Sequence, residues 1–485
     1  MLLVAAVTSA AAQAGLPLQD TATLERIDAF VAEQAADSGI PGVAIAVLQD
    51  GRSPHVRGFG RDGHGNAICG DTPFPIGSLT KSFTALLVQQ AIDAGQLDTD
   101  APVQRYLPWF RVADARAAPH IKLHHLLSQT SGFSRADGIA PLLQGSSVGI
   151  EELARGMAAT SLNRPIGVRF EYSNLNYVLL GAVLQAVTGT PWDALVRERV
   201  LQPLAMTRSH TGPASARRDG MTALHRMWFG VPVMHDTQLL PGFAPTGSLV
   251  ASAADMARYL QMMLSGGAAP GGRVVSARAV TQLLEPASPP SRSTLMSTDF
   301  RFRYGEGWFV GPFGAAADAR WHLGNLASFA AWMVLLPDTK QAVVVLINAN
   351  SEQPFGEVNA VMSRLPIGVV NLLRGQPVPQ GQSLRRAYMP FNAAAALSVA
   401  AGMALAWWAG RARRARWSLL LALLAVAAVA VLRVMGLKAA MLAAFAPDLA
   451  LVLAAVGSLL CLPAMWRAWS WTCRSRLHHR RGVQP

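Results

Sequence analysis

Residues 42–48 (GVAIAVL) form an unbroken β-branched and apolar run, the pattern of a strand. Gln49-Asp50-Gly51 offers a turn, and residues 57–60 can return as a second strand. The same signature recurs some 260 residues later at 307–310, 330–336 and 342–348, with Pro337-Asp338-Thr339 as a hairpin turn between the last two. In the middle the period changes. Apolar residues recur every three to four positions over 79–94, 151–159, 177–188 and 253–264, and a last helix is expected over 356–373. Strands at both ends with helices between predict an α/β fold. One antiparallel sheet is built from both ends of the domain and flanked by helices, with an inserted all-α subdomain and a cleft between the two parts.

The pattern changes again beyond residue 389. Residues 392–410 are uncharged, 417–432 likewise (extendable to 436 if Arg433 reaches the interface), and so are 449–466. A membrane helix needs roughly 17–25 such residues, so three spans are expected at 392–410, 417–436 and 449–466. Residues 376–389, rich in Pro and Gln at their start, read as a linker. Residues 1–14 resemble the apolar part of a signal peptide ending in Ala12-Gln13-Ala14, without the usual basic start. Residues 15–375 are left as one large domain.

Charge gives the orientation. Half of the chain is hydrophobic (51%) and only 15% is charged. Of the net +13, residues 390–485 carry +10, leaving +3 on the preceding 389 residues. That is too little for a nucleic-acid-binding face on the large domain. Arg411, Arg413, Arg414 and Arg416 follow the first span, and Arg467, Arg474, Arg476, Arg480 and Arg481 follow the third. In a three-span topology both clusters fall on one side, and basic loops are cytoplasmic. The expectation is a multi-pass protein of the bacterial inner membrane, with the bilayer as a partner and the large domain outside the cytoplasm. Trp407, Trp408, Trp417, Trp466, Trp469 and Trp471 lie near span ends, as interface anchors do. The three cysteines (Cys69, Cys461, Cys473) permit no disulfide within the large domain. No Cys/His cluster has metal-ligand spacing, so no metal or cofactor is expected.

The candidate chemistry centres on Ser78-Leu79-Thr80-Lys81. Pro73, Pro75 and Gly77 break structure before it, and a helix begins after it. Residues three apart share a helix face, which sets the Lys81 amine beside the Ser78 hydroxyl. A serine hydroxyl needs such a base to act as a nucleophile. The chain has only four lysines and uses arginine elsewhere, and arginine cannot give up its proton. Tyr172-Ser173-Asn174 precedes a helix. A tyrosine near a protonated lysine can have its pKa lowered enough to relay a proton. His322-Leu323-Gly324-Asn325 enters a strand, where glycine permits close approach and an edge N–H can serve as an oxyanion donor.

These three elements, in this order, resemble the serine-reactive penicillin-binding proteins and class C β-lactamases over residues 25–375. Residues 121–132 and 245–252 add to the likeness. The resemblance implies acylation of Ser78, with proton transfer by Lys81 and Tyr172; which of the two is the base stays open. It implies a hydrogen bond from Asn174 to the substrate amide, and an oxyanion hole from the Ser78 and Asn325 N–H groups. His322 stands where many members carry lysine. A pH-dependent cation there lowers the expectation of β-lactam hydrolysis and raises that of peptidase or esterase activity. Gln129 stands where a histidine is common, with no assigned effect. The layout is also similar to membrane-bound prodrug-activating D-asparaginyl peptidases of the colibactin-maturation type, in which Asn325 would contact the asparagine side chain. The expected function is cleavage of an amide bond next to a D-residue in a small-molecule or peptide substrate, acylated in the prodrug case. A carboxylesterase, a weak β-lactamase and a non-enzymatic penicillin-binding sensor are the alternatives.

Overall fold

A computed structural model of the protein describes residues 19–481 except 51, 146, 294–299, 352–357, 412–415, 435–441 and 444–445. The segment read as a signal peptide lies outside the described residues. Eight strands form the main sheet: β1 (Gly42–Leu48), β2 (His55–Gly60), β5 (Ser291–Ser293), β6 (Phe300–Tyr304), β7 (Phe309–Phe313), β8 (Ala316–Leu326), β9 (Phe329–Leu336) and β10 (Gln341–Ile347). Their order is β2-β1-β10-β9-β8-β7-β6-β5, antiparallel throughout. The first strand of the domain thus pairs with its last long one, Val43 opposite Ile347 and Leu48 opposite Ala342. A separate hairpin, β3 (His225–Trp228) and β4 (Val231–Met234), joins the short β11 (Ala349–Asn350) through a parallel β3–β11 pair.

Every residue of β1 and β9 is buried, because both sheet faces are covered. Ala44, Ala46 and Leu48 enter a core shared with the inserted helices, whereas Val43, Ile45 and Val47 enter one under the terminal helices. On the first side lie α2 (Thr80–Asp93), α3 (Arg135–Gln144), α4 (Asn174–Thr188) and α5 (Ala253–Leu264). Ser252 caps α5 by accepting from the Asp255 N–H. On the other side α1 (Gln19–Ser38) packs against α6 (Val358–Leu373).

Three further helices follow: α7 (Leu384–Arg411), α8 (Arg416–Val434) and α9 (Pro447–Arg481). The expected linker is shorter than 376–389, because α7 already begins at Leu384. Two of these helices, not three, are long and apolar enough to cross a membrane among the described residues: α7, and α9 over Pro447–Trp471. The expected middle span is helical over Arg416–Val434 and apolar over Arg416–Ala425, the part whose side chains are described. Helices α7 and α9 run side by side in the same direction. Asn392 and Asp448 near their starts both bond Phe229, and the Arg467 guanidinium near the far end donates to the Ala409 carbonyl (3.1 Å).

Candidate active site

The site is made where α2 begins beneath the end of β8. Gly77 adopts φ +52°, a conformation costly for other residues. It turns the chain from the short strand Phe74–Pro75 into a 3₁₀ turn (Gly77–Leu79) and then α2. Ser78 sits half-buried on that turn. Strand β8 crosses so close that a Cβ on Gly324 would lie 2.0 Å from the Ile76 carbonyl oxygen and 2.8 Å from the Ser78 nitrogen. Only glycine fits there, which is how the backbone about Ser78 and Asn325 is brought together. Strand β8 is interior to the sheet, not an edge. Its partner β7, however, pairs only as far as Trp321, so residues 322–326 have a locally open side facing Ser78.

Lys81 lies one turn along α2 and is fully buried. Its Nζ is 2.9 Å from Ser78 Oγ and donates to the Thr246 carbonyl at 2.8 Å. That carbonyl is held by the 244–247 turn, clamped to α2 through the Thr84 hydroxyl and the Pro245 carbonyl (2.7 Å). Burial, aided by the positive charge of Arg135, drives the Lys81 amine well below its usual 10.5. The amine is therefore poised to accept a proton. The Tyr172 hydroxyl lies toward Ser78, and its ring centroid is 5.0 Å from Lys81 Nζ. Burial pushes the Tyr172 phenol upward, outweighing the opposing effects of Ser78 and Arg135. The expected downward shift is reversed, because desolvation of the phenol outweighs the positive charge of Arg135. Tyr172 remains a donor.

His322 is buried as well, and its environment is aromatic (Tyr304, Phe309, Tyr172). Its Nδ1 donates to the Leu323 carbonyl at 2.7 Å, which leaves Nε2 to accept from the Tyr304 hydroxyl at 3.0 Å. Burial first, then the nearby Lys81, lowers its pKa to about 3. His322 is thus neutral at physiological pH, not the pH-dependent cation the sequence suggests.

These groups open into a cleft of about 230 Å³ that contains Ser78, Tyr172, His322 and Asn325 in its lining. A model of the Beta-lactamase family matches residues 27–364. The chain belongs to the β-lactamase family. It is 35% identical over 273 residues to Penicillin-binding protein 4 of Amycolatopsis lactamdurans, covering 54% of this chain and 68% of the relative. It is 24% identical over 330 residues to Protein flp of Staphylococcus aureus (strain COL), covering 68% and 64%. The chain thus spans about two-thirds of the length of these relatives. Among solved structures, a penicillin-binding protein homologue from Pyrococcus abyssi, octameric by its description, has a TM-score of 0.60 at 25% identity, over 73% of this chain and 78% of the other. D-amino acid amidase from Ochrobactrum anthropi SV3 has a TM-score of 0.62 at 20% identity, over 73% and 99%, a likeness of fold alone. The family is one of serine hydrolases.

Within this β-lactamase-family framework Asn174 heads α4, two residues after Tyr172, and its side-chain amide donates to the Gly138 carbonyl (3.1 Å). Gln129 gains a role the sequence does not show. Held at φ +60°, its side-chain oxygen accepts from the Ser173 N–H (2.9 Å) and from Asn176 (2.5 Å), while its carbonyl accepts from the Glu171 N–H (2.9 Å). It thereby fixes the loop that carries Tyr172. Arg135, in the first turn of α3, lines the cleft and is the charged side chain among its described lining residues. Nothing local in the sequence marks it. Its backbone N–H is tied to Glu171 (3.1 Å), so both flanks of the Tyr172 loop converge on one place.

Proposed function

We propose that the protein is a membrane-anchored serine hydrolase that cleaves an amide bond through an acyl-serine intermediate, acting next to a D-residue. The observation that carries this reading is the buried Lys81 amine, its pKa driven well below its usual value by burial, 2.9 Å from the Ser78 oxygen. Lys81 takes the Ser78 proton as Oγ attacks the carbonyl carbon. The N–H groups of Ser78 and Asn325 receive the developing oxyanion. Tyr172, held protonated by burial, gives its proton to the departing amine and regains one from Lys81. Water then attacks the acyl-serine by the same relay in reverse.

With His322 neutral, a carboxylate on the substrate is met by Arg135 on the opposite wall. The D-residue preference rests on the motif resemblance. The narrower D-asparaginyl prodrug option is supported by Asn325 lying in the cleft wall. Anchoring is supported by the exposed, apolar α7 and α9, and by Arg411, Arg416 and Arg467 gathered at the end away from the hydrolase domain. That end faces the cytoplasm.

The test is mass-spectrometric detection of cleavage of an N-acyl-D-asparaginyl amide by membranes carrying the protein, beside a Ser78→Ala control. Cleavage that requires Ser78 and spares the L-isomer is expected. Cleavage of both isomers would remove the D-preference. Turnover that survives Ser78→Ala would overturn the mechanism.

A further inference from the structure

The β3–β4 hairpin has no part in the chemistry above, and its construction is unusual. Its two-residue turn is Phe229-Gly230, with φ +51° and +85°. Such a turn is normally made by Asn, Asp or Gly. An aromatic residue in left-handed backbone is strained and persists only where its surroundings hold it. Both apolar helices do so here. The Phe229 N–H donates to Asp448 at the start of α9 (3.1 Å). Its carbonyl accepts from Asn392 on α7 (3.0 Å). Its ring stacks on Phe391 at 5.9 Å. Asp448 is fully buried in this contact.

The hairpin beyond this clamp is apolar and open. Val231 and Val233, on one face of β4, are 60% and 45% exposed. Met389 of α7 follows Tyr388, which packs on Gly230, and is 65% exposed. Arg385 lines a small pocket with Phe229, Gly230, Val231 and Pro232, and Arg386 is exposed next to it. At the opposite end of the helices the six tryptophans 407, 408, 417, 466, 469 and 471 are all exposed, as an interface belt requires. The near end has no such belt among the described residues, and the hairpin stands where one would be. The ion pair Arg217–Asp236, just beyond Met234, limits how deep the hairpin can go.

We propose that the β3–β4 hairpin is a membrane-contacting element. Val231 and Val233 seat at the boundary of headgroups and acyl chains of a phospholipid bilayer, and Arg385 and Arg386 meet its anionic phosphates. This rests on the reading of α7 and α9 as membrane spans. An apolar surface flanked by arginines is the composition of interfacial elements. The consequence reaches the active site. Strand β3 pairs with β11, whose Asn350 lines the cleft together with Ser351. The Ser351 hydroxyl also bonds Tyr388 of α7 (2.6 Å). One wall of the cleft is therefore a single strand away from the lipid surface, and its orientation to the bilayer is fixed.

The test uses the full chain, with Cys69, Cys461 and Cys473 changed to Ala, in phosphatidylcholine–phosphatidylglycerol vesicles whose acyl chains carry bromine. An environment-sensitive fluorophore is placed at Val233→Cys, at Leu405→Cys on α7, or at Lys340→Cys in the distant β9–β10 turn. Quenching at 405 and at 233, the latter shallower, with none at 340, is expected. Quenching at 405 alone overturns the hairpin proposal and leaves the anchor intact. Protection of position 233 from aqueous iodide in that case would assign the face to a second copy of the chain. Absence of quenching at 405 overturns the membrane reading itself.

Discussion

Replacing Lys81 separates the two proton-transfer candidates. Arginine keeps a long cation but cannot release its proton; methionine keeps the volume without the amine. The folded pKa of Lys81 is depressed below 10.5 by burial. The fold thus prefers the neutral amine, and the associated stability is fully present above the unfolded pKa and is lost as pH falls through the folded one. Arginine makes that burial penalty permanent, whereas methionine removes it. Lys81→Met should therefore unfold at a higher temperature than the wild type under acidic conditions. General base catalysis contributes roughly 10²–10⁴-fold, equivalent to about 2.7–5.5 kcal/mol of barrier at about 1.4 kcal/mol per decade. Both variants should lose activity by at least roughly 100-fold in kcat/KM. The assay is the second-order rate of Ser78 acylation by a chromogenic amide or ester between pH 5 and 10, with circular dichroism reporting the fold. A Lys81→Met protein that retained more than about a tenth of the wild-type rate would refute Lys81 as base, because the loss would fall below the range of general base catalysis. An activity limb rising only near pH 10 in the wild type would refute the depressed pKa.

Two further outcomes follow from the same geometry. Gly324→Ala places a methyl 2.0 Å from the Ile76 oxygen, so β8 must move away from Ser78; acylation should fall by roughly tenfold or more, as displacement of an oxyanion donor does, while Lys81 titration, followed by the pH profile of the residual activity, stays unchanged. Glu306 is buried against Gln89 (2.6 Å), and burial raises its pKa from 4.5 to about 7. Its folded pKa exceeds the unfolded one, so stability present below pH 4.5 is lost as pH rises through about 7; the loss is of order 3 kcal/mol. Glu306→Gln should abolish that slope in thermal unfolding followed between pH 4 and 8, and an unchanged slope would exclude Glu306 as its source.

The unbroken apolar runs of β1, β9 and β10 made those strands legible, because a strand buried on both faces needs no alternation to be recognised. Helices α2 and α5 were legible by period. Strand β6 (FRFRY) places arginines between aromatics, and β8 mixes charge, aromatics and glycine, so neither carries a continuous signal. The Leu24, Ile27, Phe30, Val31 spacing of α1 is helical and readable in principle. Within the site, the Ser78–Lys81 spacing foretold their contact because one helical turn fixes it. The electrostatics did not follow. Which way Tyr172 and His322 shift depends on how much water reaches them, a property of the assembled core. Arg135 lies outside the three motifs in sequence and joins the cleft because α3 packs beside α4.

The pairing of β1 with β10 also bears on how the chain acquires its structure. The Gly42 N–H donates to the side-chain oxygen of Asn348, 306 residues away. The central strands of the sheet cannot close until nearly the whole hydrolase domain has been synthesised. Contacts of such separation impose a large loop-closure cost before any reward and make folding slow. Meanwhile β1 has only β2 to pair with, and its other, apolar edge is exposed to aggregation. Helix α7 follows Asn348 by fewer than 40 residues, so the missing strand and that helix emerge almost together. Under the membrane-anchored reading proposed above, closure of the sheet and attachment to the bilayer become successive steps of one late event.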